Sequence, residues 1–201
     1  MHVIKTRLAT GLLVCGALAT GLATATTASS AAPTDASVAS AAAAAPVVKL
    51  HLTPSSADLA KCMPKAKVDI KVKLTTDEVG FDDFDISASG LPPKTAFTVF
   101  LLQQADFPFG AAEYIGDITT DNRGRAHNEF KLIVQEAFSS NLLNGQRVRT
   151  DLNQVGMWFA EPAGDDFCFG AGKGAVTPFD GDDEAGVQAF NSLHTTPLPA
   201  P

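Results

Sequence analysis

The stretch that decides the fold is KVDIKVKL, from Lys67 to Leu74. Its apolar residues alternate one for one with charged residues, and successive side chains of a β-strand point to opposite faces. The pattern therefore predicts a strand with one buried face and one wet face. Two other stretches, 48–52 and 84–88, alternate in the same way.

Further strands are predicted along the rest of the chain. Residues 95–102 are apolar on both faces, which favours a central strand. The stretches 114–120 and 126–134 flank the turn sequence DNRGR, and we expect them to form a hairpin. Residues 155–159 alternate again before Pro162 and Gly164 end the pattern.

One helix is predicted, over residues 134–143, because the following Asn144-Gly145 pair is typical of a helix end. Short strands separated by turn residues at regular spacing indicate an all-β protein. The predicted fold is a two-layer antiparallel β-sandwich with one short helix.

The first 25 residues have the features of a secretory signal peptide. Lys5 and Arg7 supply a positive start, an uncharged apolar stretch follows, and Ala23-Thr24-Ala25 offers small residues for cleavage. A membrane anchor is the alternative, but the apolar stretch is short and rich in Gly, Ala and Thr. The sequence thus predicts a secreted, extracellular protein without a membrane span after signal removal.

The remaining chain divides into three parts. Residues 26–46 are almost all Ala, Ser and Thr, which is typical of a disordered spacer. Residues 47–194 carry the strand patterns and are long enough for one β-sandwich domain. Residues 195–201 form a predicted Pro-rich tail.

The net charge of the chain indicates which classes of partner it can bind. Loss of Lys5 and Arg7 with the signal takes the formal net charge from −7 to −9. Nucleic acids and anionic membranes bind through clustered Lys and Arg residues, so an acidic chain without basic clusters argues against both partners.

Cysteine usage predicts a disulfide. Cys15 leaves with the signal, so Cys62 and Cys168 remain in an oxidising compartment where paired thiols normally close. Two separate buried thiols are the alternative.

Catalytic motifs are missing from the sequence. It contains no Gly-x-Ser-x-Gly elbow, no His-Glu-x-x-His zinc pair and no Cys-x-x-Cys pair. We therefore assign no catalytic residue.

Two stretches remain as candidate sites. Phe107 and Phe109 lie in the loop sequence ADFPFG, where exposed rings would bind a glycan or a protein. Burial of both rings in the core is the competing interpretation, and the sequence favours it because Phe is among the most buried residue types. Asp180, Asp182 and Glu184 alternate in a glycine-containing acidic loop, and a charge run of this kind predicts a solvated turn. A calcium site formed by these three carboxylates is the alternative, and the sequence predicts no other cofactor.

Three groups of residues carry a resemblance. They are the pattern Tyr114-x-Gly116-Asp117-x-x-Thr120-Asp121-x-x-Gly124, the run Trp158 to Pro162, and the run Thr177 to Gly181 with Ala185 to Gln188. Together they resemble a group of exported single-domain proteins of high-GC Gram-positive bacteria. The resemblance implies secretion and one compact domain, and it assigns no activity and no residue role.

The function predicted from the sequence is a secreted, non-enzymatic binding or surface-associated module for an extracellular ligand. The alternative is an extracellular hydrolase that uses two carboxylates as acid and base, drawn from Asp117, Asp121, Glu161 and Asp182.

Export predicts a shortened amino terminus. Intact-mass analysis of the protein recovered from the culture medium is expected to place its first residue between 24 and 33, because cleavage follows the small residues near Ala25. Recovery of the protein from the membrane fraction with Met1 still attached would contradict export.

Overall fold

The structure is a computed structural model, and it describes residues 44–178 and 183–199. The predicted signal peptide, most of the predicted spacer, and Asp180 and Asp182 of the predicted calcium loop lie outside these residues. No helix within the described ranges is long and apolar enough to cross a membrane.

The described residues form ten β-strands, three short helices and one 3₁₀ turn, over Pro162–Asp165. The strands are β1 (Val47–Pro54), β2 (Lys67–Lys73), β3 (Asp82–Ser89), β4 (Ala96–Leu102), β5 (Ala112–Thr119), β6 (Ala126–Leu132), β7 (Phe138–Leu143), β8 (Gln146–Asp151), β9 (Gln154–Phe159) and β10 (Gln188–Asn191). The helices are α1 (Ala57–Cys62), α2 (Thr76–Val79) and α3 (Asp166–Phe169).

Eight strands build two four-stranded antiparallel sheets. Sheet 1 has the order β1-β2-β3-β6, and sheet 2 has the order β5-β4-β9-β10. A short pairing of β1 with β10, at Thr53 and Pro54, joins them. The prediction of an all-β antiparallel fold is confirmed, and the continuous sheet gives the sandwich the character of a partly open barrel.

The core follows the period of two that the sequence shows. In β2 every second residue is buried, and Ile70 pairs with Leu50 on one side and Ile86 on the other. Sheet 2 contributes an inward row to the same core, in which the Phe97 and Phe159 rings lie 4.9 Å apart. Each fully buried large side chain of this kind stabilises the fold by about 1.5–3 kcal/mol.

The predicted disulfide is confirmed. Cys62, the last residue of α1, is bonded to Cys168 in α3, with Cα atoms 5.6 Å apart. The bridge spans 106 residues of sequence, a separation for which the chain-entropy model gives about 4–5 kcal/mol. It ties the connection after β1, in sheet 1, to the connection after β9, in sheet 2.

The prediction of a helix over residues 134–143 is wrong. Residues 138–143 form β7, and Asn144-Gly145 makes the two-residue turn to β8. Both residues have positive φ, 52° and 78°, as a type I′ hairpin turn requires. An Asn-Gly pair suits a helix end and a hairpin turn equally, and the pairing with β8 decided the outcome. The short helices lie elsewhere, in α1, α2 and α3.

The prediction that strands 114–120 and 126–134 form a hairpin is also wrong. The turn itself forms, since Asp121 N donates to Arg125 O at 2.7 Å. The two strands then part, because β5 pairs with β4 and β6 pairs with β3. They are the two end strands of the sheet, and Phe130 of β6 packs where a side chain on Gly116 of β5 would lie.

Part of the predicted tail packs against the domain. Leu198 is buried, and its N–H donates to Asn153 O at 2.8 Å. The domain therefore includes residues beyond 194.

A buried carboxylate joins three segments next to the core. Asp82 Oδ1 accepts from Thr75 N at 2.7 Å and Thr76 N at 2.9 Å, and Oδ2 accepts from Val134 N at 2.8 Å. Burial raises the pKa of Asp82, but the backbone donors of Val134, Thr75 and Thr76 outweigh burial and leave the pKa lowered. Asp82 thus stabilises the protein as an anion.

The Asp82→Asn variant is expected to be less stable at neutral pH by about 1–3 kcal/mol. Its side-chain NH₂ group is a hydrogen-bond donor and cannot accept from the backbone N–H groups that the carboxylate binds. A lowered pKa in the folded protein means stability that is present above the ordinary aspartate pKa of about 4 and is lost as the pH falls below it. Urea unfolding from pH 2 to pH 7 should therefore show a shallower acid loss in the variant. The control is Asp77→Asn on the exposed side of α2, and equal acid losses in Asp82→Asn and the parent would contradict the role of Asp82.

Candidate functional site

The outer face of sheet 2 is aromatic, whereas the outer face of sheet 1 is charged. Along β2 the outward residues are lysines and Asp69, which is the wet face that the sequence predicts. Along β4 and β9 the outward residues include Phe100, Leu102 and Trp158, and all three are buried. Both faces of sheet 2 are therefore apolar and must be covered, and the segments that pack on its outer face form the candidate site.

Two connections supply that cover. The first is residues 103–111, between β4 and β5, and the second consists of the described residues 170–178 and 183–187, between α3 and β10. Ala185 and the half-buried Phe109 pack on the outward residues of the sheet. Gln188 fastens the first connection, because its Nε2 donates to Ala105 O at 3.0 Å in the interior.

The turn in the first connection depends on Gly110. Its φ is +71°, and a Cβ at this position would lie 2.2 Å from Gln103 Oε1. That same oxygen accepts from Ala111 N at 3.1 Å, while Gln104 N binds Phe109 O at 3.0 Å. These bonds fix the backbone on both sides of Phe109.

Five aromatic rings form a continuous row across this face. The order is Phe107, Phe109, Trp158, Phe100 and Tyr114, with centroid separations of 5.9, 5.0, 5.4 and 5.8 Å. Neighbouring rings meet edge to face, at 66° to 86°, which is the arrangement that aromatic quadrupoles favour. We call these five residues the aromatic row.

Glycine makes room for the centre of the row. A Cβ on Gly156 would lie 2.5 Å from the six-membered ring of Trp158 and 2.7 Å from Leu102 Cδ1. The absence of a side chain at Gly156 therefore lets the indole lie against the strand.

A pocket of about 270 Å³ opens beside the row. Among the described residues that line it, Thr177 is the one with a hydroxyl group, and this hydroxyl donates to Gly186 O at 2.8 Å. At this volume the pocket lies near the lower end of small-molecule sites and suits one ring or a short aliphatic group. The lining consists of Phe100, Leu102, Phe109, Gly110, Ala112, Trp158, Thr177, Pro178 and Ala185.

The two phenylalanines predicted as a surface site have different environments. Phe107 is 81% exposed, whereas Phe109 is half-buried and forms part of the pocket wall. Sequence reasoning missed Phe100 and Trp158. Two features of the sequence pointed to them. Residues 96–102 form a strand that is apolar on both faces, so its outer face must be covered, and Trp158 alternates with the inward residues Met157 and Phe159.

For the predicted calcium loop, the structure describes Glu184 only. Glu184 is exposed, and its N–H binds Asp183 Oδ1 at 2.8 Å. Within the described residues no group of three or more His, Cys, Asp or Glu side chains is arranged to hold a metal ion.

Of the carboxylates considered for a hydrolase, Asp117, Asp121 and Glu161 lie apart from the pocket lining. Asp121 is committed to its turn, where it accepts from the backbone of Arg125 at 3.0 Å and Arg123 at 2.7 Å. These bonds, and the Arg125 guanidinium, lower the pKa of Asp121. Asp117 and Glu161 are exposed, and Asp182 lies outside the described residues.

Comparison with known proteins gives no family. No protein-family model matches the chain, and no curated protein sequence matches it. The assignment of function therefore depends on the geometry of the site.

A second buried carboxylate anchors the connection that walls the pocket. Asp165 is fully buried, and its Oδ2 accepts from Val187 N at 3.0 Å. Its Oδ1 has no hydrogen-bond partner among the described residues, and a Cβ on Gly174 would lie 2.1 Å from that oxygen. Burial raises the pKa of Asp165 more than the Val187 bond lowers it, and the neighbouring Asp166 charge raises it further.

The Asp165→Asn variant is expected to be at least as stable as the parent at pH 7. A raised pKa in the folded protein means stability that is present below the ordinary aspartate pKa and lost as the pH rises through the folded value. A neutral amide avoids this loss and keeps an oxygen for Val187. Thermal midpoints from pH 3 to pH 8 should show an advantage for the variant that shrinks toward acid pH. A variant that is less stable by the same amount at every pH would show that the carboxylate itself is required.

Proposed function

We propose that this protein is a secreted, non-enzymatic binding module and that the pocket beside the aromatic row holds an apolar group of an extracellular ligand. The ligand is a glycan or a protein that presents such a group. The observation that carries the proposal is the row itself, which leads from the exposed Phe107 through the pocket wall to Tyr114.

The exposure of Phe107 supports binding over a purely structural role. A phenylalanine that is 81% exposed contributes little to the cover of sheet 2. Its ring lies beside Phe109, which packs on Trp158, so a ligand on Phe107 would extend an apolar surface that is already built.

The pocket lining supports binding over catalysis. Hydrolysis needs groups that transfer protons beside the scissile bond. Among the described residues that line the pocket none is an acid, a base or a cysteine. Apolar walls with a few polar groups at the rim are typical of a site that recognises shape.

Secretion is supported by two features. The amino-terminal sequence has the charge, apolar stretch and small residues of a signal peptide. The Cys62–Cys168 disulfide is of the kind that persists in oxidising compartments. The resemblance to exported bacterial proteins agrees with this placement.

The single tryptophan of the chain provides a direct test, because Trp158 lines the pocket. Titration with benzyl alcohol, cyclohexanol, octanoate and soluble cell-wall glycan fragments is expected to shift or quench its emission for at least one class. Phe107→Ala should weaken that binding about 3–10-fold without lowering the thermal midpoint, because loss of one aromatic contact is worth about 0.5–1.5 kcal/mol.

A filled pocket provides the second arm of the test. Ala112→Leu adds volume at an exposed lining position and should abolish binding while the fold is kept. Phe138→Ala is the matched control, since Phe138 is also exposed but lies outside the pocket lining. Phe138→Ala should bind as the parent does. The proposal fails if no probe changes Trp158 emission, or if Ala112→Leu also binds as the parent does.

A further inference from the structure

The β7–β8 hairpin is a surface that the proposed ligand site does not use. Its base is anchored by the buried residues Ala137 and Leu152, which share a backbone bond of 3.0 Å. Beyond that base the hairpin forms a separate two-stranded sheet, and both strands are mostly exposed. Its exposed large apolar residues are Phe138, Leu142, Leu143 and Val148, of which Leu142 is 67% exposed.

The turn and the register determine which backbone groups point outward. The residues that flank a two-residue turn, here Leu143 and Gln146, exchange hydrogen bonds, and bonded and non-bonded pairs then alternate along the ladder. In β7 the residues without bonds to β8 are therefore Phe138, Ser140 and Leu142. Their N–H and C=O groups face away from β8, and their side chains share one face of the hairpin.

The two edges of the hairpin differ in protection. β8 carries Arg147 and Arg149, and charged side chains on an edge strand oppose pairing with another chain. β7 has the sequence FSSNLL, without charge, proline or glycine. An uncharged edge strand with exposed apolar residues is the kind of edge that accepts another strand.

We infer that the free edge of β7 pairs antiparallel with β7 of a second copy of this chain, joining the two hairpins into a four-stranded sheet. Ser140 lies opposite Ser140 of the second copy, and Phe138 lies opposite its Leu142. This register makes up to about six backbone hydrogen bonds, because all three outward-facing residues of each strand are used.

The pattern of β7 favours an identical strand as the partner. The pairing is symmetric, so each Phe138 meets a leucine and each Leu142 meets a phenylalanine on the same face. Aromatic and aliphatic residues directly opposite each other stabilise antiparallel pairs by about 0.2–1 kcal/mol. The exposed side chains of β7 thus complement a second copy of β7.

The charges of the hairpin permit this arrangement. Arg149 lies over the Phe138 ring at 4.3 Å and binds Asp151 at 2.7 Å, so it is held on its own hairpin. In the four-stranded sheet both copies of β8 are outer strands, separated by about 14 Å at strand spacing. The acidic bodies repel each other, so added salt strengthens the pairing.

Cysteine cross-linking tests the register. Ser140→Cys is expected to form an intermolecular disulfide under mild oxidation, because directly opposite bonded residues have Cα atoms about 5.5 Å apart, within disulfide range. The matched control, Gln146→Cys on β8, lies at an exposed position as Ser140 does and should not cross-link. Equal cross-linking of both variants would reflect random collision and would overturn the register, and no cross-link at Ser140→Cys would overturn the pairing.

Sedimentation of the mature protein tests the association itself. The parent is expected to form a dimer whose population rises with protein concentration and with sodium chloride. Ser140→Lys places two ammonium groups opposite each other and should raise the dimer dissociation constant at least tenfold. Gln146→Lys adds the same charge at an exposed position of β8 and should have a much smaller effect. A parent that stays monomeric at millimolar concentration, or equal effects of the two lysines, would overturn the inference. Binding at Trp158 is measured separately and does not depend on the result.

Discussion

Strand β4 is buried on both faces, and the segments around it are arranged so that both faces are covered. Its inward residues, Phe97 among them, fill the core shared with sheet 1. Its outward residues Phe100 and Leu102 need a second cover, which a sandwich of two sheets does not supply. Two long connections provide it, and the space left beneath them is the pocket. The same constraint therefore produces the core and the candidate site.

Polar contacts, and not apolar packing alone, hold the cover in place. Gln188 binds the Ala105 carbonyl from inside the fold, and Asp165 receives the Val187 N–H where the second connection returns to the sheet. Buried polar groups of this kind specify one position, because a displaced backbone would leave them without partners. The pocket wall is thus preformed, which reduces the entropy lost on binding.

The sequence predicts the parts of the fold that depend on periodicity. The alternation in β2 is seen in its burial, and the doubly apolar stretch 95–102 contains β4. The pairing of strands does not follow from periodicity. Strands β5 and β6 are joined by one tight turn but belong to different sheets, and nothing in the local sequence of residues 121–125 encodes that separation. The Asn144-Gly145 pair is ambiguous for the same reason. Phe107 and Phe109 were predictable as a pair, but the ring that joins them to the sheet, Trp158, is some 50 residues away in sequence and became visible only in three dimensions.

A groove connects the two surfaces on which binding is proposed. Tyr114 ends the aromatic row and also lines this groove, and Phe138 of the β7–β8 hairpin lines it on the other side. Pairing of two β7 strands would place two aromatic rows in one assembly, related by a two-fold axis. A small apolar pocket gives weak affinity by itself, but two linked pockets on a repeating ligand gain avidity of about 10²–10⁴ when both engage. If both the proposed binding site and the inferred pairing hold, a polymer that offers the apolar group twice at a fixed spacing would bind more tightly than a ligand that offers it once.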